Sequence, residues 1–311
     1  MRSEGTNIFN AIDEVCTIAT KAKLPVHISH LKLAGRPMWG KHDKLLARLD
    51  RARAGGIQLT HDQYAYTASS TSLSQLLPDD VVVGGSVEFS KRMRNPKTHA
   101  KTVLWMKDRI RARQREDYSY AVIAYHKNNP DYNGLNVTQA AKLRYGKDTL
   151  NHQIALIIEI EAKGGASAVF HGMHEDDARA FLKHTHTMFA SDSSVRAFNV
   201  GVPHPRGYGN AARFLARYVR DQKQLKLEEC IRKMTSLPAT TFGIKGRGVI
   251  RVGFVADLVV FDPEIIQDKA TFKKPHAYAN GFRLVIVNGR VVVENDRHNG
   301  AGPGQIIRRA R

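Results

Sequence analysis

The sequence is poor in cysteine and in acidic residues, and it has no long apolar stretch. Cys16 and Cys230 are its only thiols, far apart and without CxxC spacing, so neither a disulfide framework nor a cysteine zinc knuckle is available. Both are expected to be reduced and buried. No apolar run approaches the roughly 18 residues that a membrane helix requires. The N-terminus lacks the basic, then apolar, then small-residue pattern of a secretion signal. These absences predict a soluble, cytoplasmic protein with no membrane partner. With 42% hydrophobic and 25% charged residues, 24 Gly and 11 Pro, the composition excludes a disordered or collagen-like chain. At 311 residues it predicts one large domain or two smaller ones.

The acid deficit sets the charge. There are 29 Asp plus Glu against 48 Lys plus Arg, a net +19, and such a surplus attracts polyanions. Residues 91–115 carry ten bases and a single acid, Asp108. The run reads as an exposed helix whose inner face is Val103, Leu104, Met106 and Ile110, with the bases on its solvated side. No nucleic-acid module signature or set of stacking aromatics accompanies it, so nucleic acid is not expected as a partner despite the charge.

Two periods alternate at the start of the chain. Ile8, Ile12, Val15 and Ala19 recur at helical spacing, Val26 to Ile28 reads as a strand, Leu45, Leu46, Leu49 and Ala52 as a second helix ended by Gly55 and Gly56, and Ile57 to Thr60 as a second strand. Such alternation predicts a parallel sheet covered by helices, with the chemistry at the C-terminal ends of the strands. The residues to inspect there are His27, Ser29, His30, Lys32, His61, Asp62, Tyr64 and Tyr66. Helical signals dominate from about 90 to 165. Strand signals return at Ala168 to Phe170 and Met188 to Ala190, which read as a resumption of the barrel, separated by a helix over Asp176 to Lys183. After 245 come short β-rich runs, with a turn at Asn288 and Gly289. The expected division is therefore 1–89 partial barrel of strand-helix units, 90–165 helical insertion, 166–244 remaining barrel units and 245–311 a small β module.

Three short motifs carry candidate chemistry. In HISHLK, His27 and His30 point to opposite faces unless the strand has ended between them, and a neutral imidazole binds zinc only where other ligands converge. In ASDSS, Asp192 reads either as a proton shuttle or metal ligand, or as a cap. In HPRGYG, the planar fork of Arg206 suits a carboxylate beside glycines that allow close approach, the alternative being an exposed loop arginine.

The order and wording of the motifs resemble the D-aminoacylase (N-acyl-D-amino-acid deacylase) family of the amidohydrolase superfamily. The matching stretches are PVHISHLKLAGRPMWG from 25, THDQYAYTASST from 60, FASDSS from 189, HPRGYG from 204, EECIRKMTSLPA from 228, GVIRVGFVADLVVFD from 248 and VNGRVVVE from 287. The resemblance implies an α/β fold, the C-terminal part of a (β/α)8 metallo-dependent hydrolase barrel with a helical insertion and a small C-terminal β module. It implies zinc at the barrel mouth with His30 as a ligand, and Asp192 taking a proton from water and returning it to the leaving amine. Lys32 and Arg206 would meet the carboxylate of a small N-acyl-amino acid, and Tyr64 would give a pocket hydrogen bond. The family also has a His-x-His pair, a ligating cysteine and a His-Met-Arg-x-Glu stretch, of which Met1, Arg2, Ser3 and Glu4 match the end. The remaining zinc ligands are thus expected upstream of Met1, and the 311-residue chain by itself is expected not to be a competent deacylase, since catalytic zinc takes three protein ligands. Ser193 stands where the family usually has glycine, and Ala65 where it usually has proline. Two other readings are an amidohydrolase acting on cyclic amides, against which HISHLK and HPRGYG argue, and a non-catalytic basic binding protein, which would show salt-dependent retention on DNA.

Overall fold

The computed structural model describes residues 1–308. Helix α1 (Ile8–Ala22) buries Ile8, Ala11, Ile12 and Ala19 along one stripe and ends on Lys23 in the left-handed conformation. Strand β1 (Val26–Ile28), helix α2 (His42–Ala54) and strand β2 (Leu59–Gln63) follow. The second strand starts two residues later than the apolar run suggests, because the Ile57 N–H is still bonded back to the Ala52 carbonyl of α2 at 3.2 Å.

The chain then leaves the parallel sheet. Strand β3 (Ser69–Ser72), helices α3 (Asp79–Val82), α4 (Gly85–Met93) and α5 (Pro96–Ala112), strand β4 (Ala121–Tyr125), helices α6 (Val137–Tyr145) and α7 (Leu150–Ala162), and strand β5 (Ser167–Phe170) form a unit with its own apolar core. Phe89, Met106, Tyr118, Ile123 and Ile157 lie within that core. Strand β5 is the centre of an antiparallel sheet ordered β3-β5-β4. This corrects the reading of Ala168 to Phe170 as a barrel strand: a short apolar run states burial, whereas pairing partner and direction come from elsewhere in the chain. Strand β4 lies inside the segment read as helical. Helix α5 buries Thr102, Met106 and Ile110 while Leu104 is 59% exposed. Leu104 is therefore not on the inner face; it sits two residues from Met106, about 200° around the helix.

Helix α8 (Glu175–Lys183) and strand β6 (Thr187–Phe189) return to the first layer. Strands β1, β2 and β6 make a parallel sheet in that order, pairing Ile28 with His61 and His61 with Thr187. Helices α1, α2 and α8 cover one side around Leu45, Leu49, Leu59 and Phe181. Helix α9 (Arg206–Arg213) runs on through the wider π-helical turns of Phe214–Asp221 into α10 (Leu227–Met234) and α11 (Ser236–Phe242). Cys230 is buried on α10, whereas Cys16 on α1 is only half-buried, contrary to the expectation for both.

The C-terminal strands β7 (Leu258–Phe261), β8 (Phe282–Val287), β9 (Arg290–Glu294) and β10 (Arg297–His298) form an antiparallel sheet in sequence order. Asn288 and Gly289 both take positive φ, 48° and 77°, as a two-residue hairpin turn requires. No helix among the described residues is long and apolar enough to cross a membrane.

Candidate active site

Alternation along β2 sorts its side chains. Leu59, His61 and Gln63 are buried under the helices, and Thr60 and Asp62 face the other way. His61 bonds Arg53 at 3.1 Å and the Thr187 hydroxyl at 2.8 Å, and burial, then the Arg53 charge, hold its pKa well below the usual histidine value. It is a neutral structural residue. On the opposite face His27 bonds the Thr60 hydroxyl through Nδ1 at 2.8 Å and Asp62 Oδ2 through Nε2 at 2.7 Å. The second oxygen of Asp62 accepts the His30 backbone N–H at 2.6 Å. The strand ends at Ile28 and His30 sits at φ 45°, so Asp62 turns the chain and aims His30 away from His27.

His30, Lys32 and Glu4 form a triangle. Lys32 Nζ lies 2.6 Å from Glu4 Oε1 and 2.8 Å from His30 Nδ1, and His30 Nδ1 lies 2.8 Å from Glu4 Oε1. The neutral imidazole accepts from the lysine; protonated, it donates to the glutamate. Burial raises the Glu4 pKa, but the bond from His30 and the Lys32 charge outweigh it and bring it down to about 2. Burial lowers the Lys32 pKa, opposed by the Glu4 charge and the bond to it. Glu4 had no assigned role in the sequence; its one signal is the match of Arg2-x-Glu4 to the family stretch. Its carbonyl also accepts Ala34 N–H at 2.8 Å, which ties the N-terminal segment to this wall.

Asp192 follows β6 by three residues at φ 48°, and its Oδ2 lies 2.8 Å from Arg206 Nη1. Arg206 is 4% exposed, with its guanidinium 4.5 Å from the centre of the Tyr64 ring. The Nη1 contact is an ion pair by distance but out of line for a hydrogen bond, so this buried nitrogen keeps donor capacity. His204 positions the arginine: its Nε2 donates to the Ala68 carbonyl at 2.9 Å, and its Nδ1 accepts the Arg206 backbone N–H at 3.0 Å. Burial, then the Arg206 charge, press its pKa down to about 3, consistent with that neutral tautomer. Asn210 accepts Ala65 N–H at 2.9 Å and donates to the Ala190 carbonyl at 2.8 Å, joining α9 to the ends of β2 and β6. Gly209 allows the approach, since a Cβ there would lie 2.8 Å from Tyr66 Oη and 2.9 Å from Asp268 Cβ. His204 opens the motif that contains Arg206 and Asn210 directly follows it, but only their bonds reveal their roles.

His30, Lys32, Glu4 and Asp192 line one cavity of about 660 Å³, together with Ser69 to Thr71 and residues of α5. The fold thus brings His30 and Asp192 to the rim of one cavity. Arg206 lies behind Asp192 and lines a separate cavity of about 280 Å³. Tyr64 is fully buried and its hydroxyl faces the Met173 sulfur at 3.6 Å. It is a platform for Arg206 and Lys32, not the pocket hydrogen-bond donor expected, because its ring is held under the two cations. Among the described residues no group of three or more His, Cys, Asp or Glu side chains is placed to hold a metal ion. With His30 Nδ1 engaged and Asp192 turned to Arg206, these donors alone do not fit a catalytic zinc.

The sequence matches the family described as "Amidohydrolase family" over residues 2–293. It is 32% identical over 309 residues to an N-acyl-D-glutamate deacylase of Alcaligenes xylosoxydans xylosoxydans, covering 99% of this chain and 53% of that protein. It is 31% identical to a D-aminoacylase of the same organism, covering 99% and 54%. A crystal structure of D-aminoacylase superposes with a TM-score of 0.75 at 30% identity, covering 97% of this chain and 53% of the other. The N-acyl-D-glutamate deacylase of Bordetella bronchiseptica, solved with zinc and a phosphonate inhibitor, gives 0.72 at 28% identity, covering 94% and 52%. The chain spans about half the length of the relatives it matches.

Proposed function

The chain belongs to the amidohydrolase family, and from that premise we propose that the protein hydrolyses the amide bond of N-acyl-D-amino acids. This chain would supply carboxylate recognition and the proton-transfer group. The observation that carries the reading is the convergence of His30, Lys32 and Asp192, from the ends of β1 and β6, on a single cavity. Lys32 and Arg206 are the cations for the substrate carboxylate. Lys32 stands in the cavity wall, and Arg206 Nη1 has a donor in reserve directly behind Asp192. Both are pre-ordered on the Tyr64 face, which lowers the cost of organising them around an anion. Asp192 is the carboxylate placed to take a proton from the attacking water and return it to the leaving amine. Arg206 sets its direction. A zinc ion in the working site would take His30 together with donors beyond those of the described residues, and would supply a lowered water pKa and polarisation of the amide oxygen.

The expected behaviour of the purified chain is therefore binding without turnover. Calorimetric titration with N-acetyl-D-leucine and its L enantiomer, beside an assay for released D-leucine in added zinc, tests both halves. Binding should favour the D form and weaken about tenfold or more in Arg206→Ala, as loss of a charge-assisted contact implies. Indifference to chirality and to Arg206 would remove the reading, and clear turnover by this chain would show that its own donors suffice.

A further inference from the structure

We propose that strand β7 is the two-fold contact of a homodimer, in which its free edge pairs antiparallel with β7 of a second copy and joins the two C-terminal sheets into one. The sheet order leaves β10 and β7 as edges. Strand β10 is blunted in the usual way, being two residues long with a base, Arg297, as one of them. Strand β7 reads Leu-Val-Val-Phe, without a charge or a proline to discourage pairing, and its irregularity with β8 falls at Arg283 on the other strand. Val259 and Val260, which alternate to opposite faces, are 52% and 43% exposed. The strand is thus apolar on both faces and open on both, a pattern that belongs to covered strands.

Backbone directions fix the register. Asp262 N–H donates to the Gly281 carbonyl, just before β8, at 3.1 Å, and the Ala256 carbonyl accepts Gly289 N–H from the β8–β9 turn at 2.9 Å. The even-numbered residues of β7 therefore turn their backbone groups to β8, and Val259 and Phe261 turn theirs to the open edge. Two identical edges can pair only by matching residues that both turn outward. With the axis at Val260, Val259 and Phe261 of each copy exchange their bonds with Phe261 and Val259 of the other. An axis at Val259 would instead call on Asp257, whose N–H is already spent on the Val255 carbonyl at 2.9 Å and whose carboxylate holds Arg247. The Val260 register carries the start of one strand past the end of the other. Arg247, tied to Asp257 and Asn288, then comes beside Asp262 of the second copy, and the exposed Ile250 and Val252 of the adjoining loop come beside its exposed Ile265. Paired backbone alone falls short of the roughly 1,000 Å² that a specific interface buries, and these side chains extend the contact on both sides of the axis. A contact of this symmetry closes on itself, so assembly stops at two. Each copy carries a net +19, so repulsion opposes association and the dimer should tighten as salt rises.

The test is sedimentation equilibrium of the full chain from about 1 to about 100 µM, at low and at moderate salt. The upper end should give twice the 34.8 kDa of one chain, falling towards one chain on dilution. Val260→Lys sets two like charges face to face at the axis, and Val259→Pro removes an outward N–H without touching the ladder to β8. Each should weaken the dimer about tenfold or more and leave the circular dichroism unchanged. Val291→Lys, at an exposed position of the interior strand β9, should remain dimeric. In a Cys16→Ser background, Val260→Cys should oxidise to a covalent dimer, because opposed residues without mutual hydrogen bonds stand with Cα atoms about 4.5 Å apart; Val259→Cys should not. A single-chain mass throughout, a dimer indifferent to both edge changes, assemblies that grow beyond two, or equal cross-linking of the two cysteine variants would overturn the proposal.

Discussion

Replacing Asp192 by asparagine should cost the fold more than replacing its partner Arg206 by methionine, although each change deletes the same ion pair. The two partners are unequally buried: the Arg206 side chain is 4% exposed and that of Asp192 36%. At 2.8 Å an effective dielectric of about 20 gives an attraction of about 6 kcal/mol, which solvent reaching Asp192 reduces to about 2 to 3 kcal/mol. Asp192→Asn strands a buried guanidinium, leaving it the Ser70 carbonyl at 3.4 Å and the Tyr64 face. An uncompensated charge of that kind costs about 3 kcal/mol or more. Arg206→Met leaves a carboxylate that water can rehydrate and a side chain that still covers the Tyr64 ring, for about 1 to 2 kcal/mol. Backbone strain does not confound the comparison, since asparagine tolerates φ 48° at least as well as aspartate. Urea unfolding followed by Trp39 and Trp105 fluorescence and by circular dichroism measures both losses. If Arg206→Met proves the costlier by more than about 1 kcal/mol, burial does not decide the energetics of this pair and the reasoning fails.

Lys233 is fully buried, donates to the His184 and Thr187 carbonyls, and is pushed by burial from 10.5 down to about 8. The folded protein therefore releases this proton before the unfolded chain does. Stability should rise by about 3 kcal/mol between pH 8 and 10.5 relative to Lys233→Met, and parallel stability curves for the two proteins would contradict this. Gly281→Ala should lower the melting temperature strongly and cost about 2 kcal/mol or more, because at φ 94° its Cβ would lie 2.7 Å from the backbone nitrogen of Ile266; an unchanged melting temperature would count against the tight joint seen there. Burial raises the Cys230 thiol to about 12, so a thiol reagent at pH 8 should titrate no more than one cysteine in the native protein and both in urea, and rapid native labelling of both would show that α10 opens readily.

Much of the parallel layer and the C-terminal hairpin was readable because it is local. The stripe of Ile8, Ile12 and Ala19, the stop at Gly55 and Gly56 and the hairpin turn at Asn288 and Gly289 each follow from a few consecutive side chains and the backbone they favour. The failures are equally specific. Strand β4 lies among helices and pairs with β5, so the alternation that would announce it is drowned by its neighbours. Leu104 counts as apolar in any window, yet its angle on α5 turns it to solvent. In the site, His30, Lys32, Asp192 and Arg206 carried motif signals, whereas Glu4, His204 and Asn210 are recognisable only from the groups they touch.

The amino-acid order by itself determined the family, the alternation of helix and strand in the first layer, and which polar side chains stand at strand ends. These depend on residue type and on periods of two and 3.6, which any stretch of chain displays without knowing its neighbours. Tertiary structure alone decided that Tyr64 underlies two cations, that Asp192 turns to Arg206, that β5 joins an antiparallel sheet, and that one face of a basic helix fronts the cavity. Each is a contact between segments remote in sequence, whose direction and distance are set only when separate cores pack and close around them.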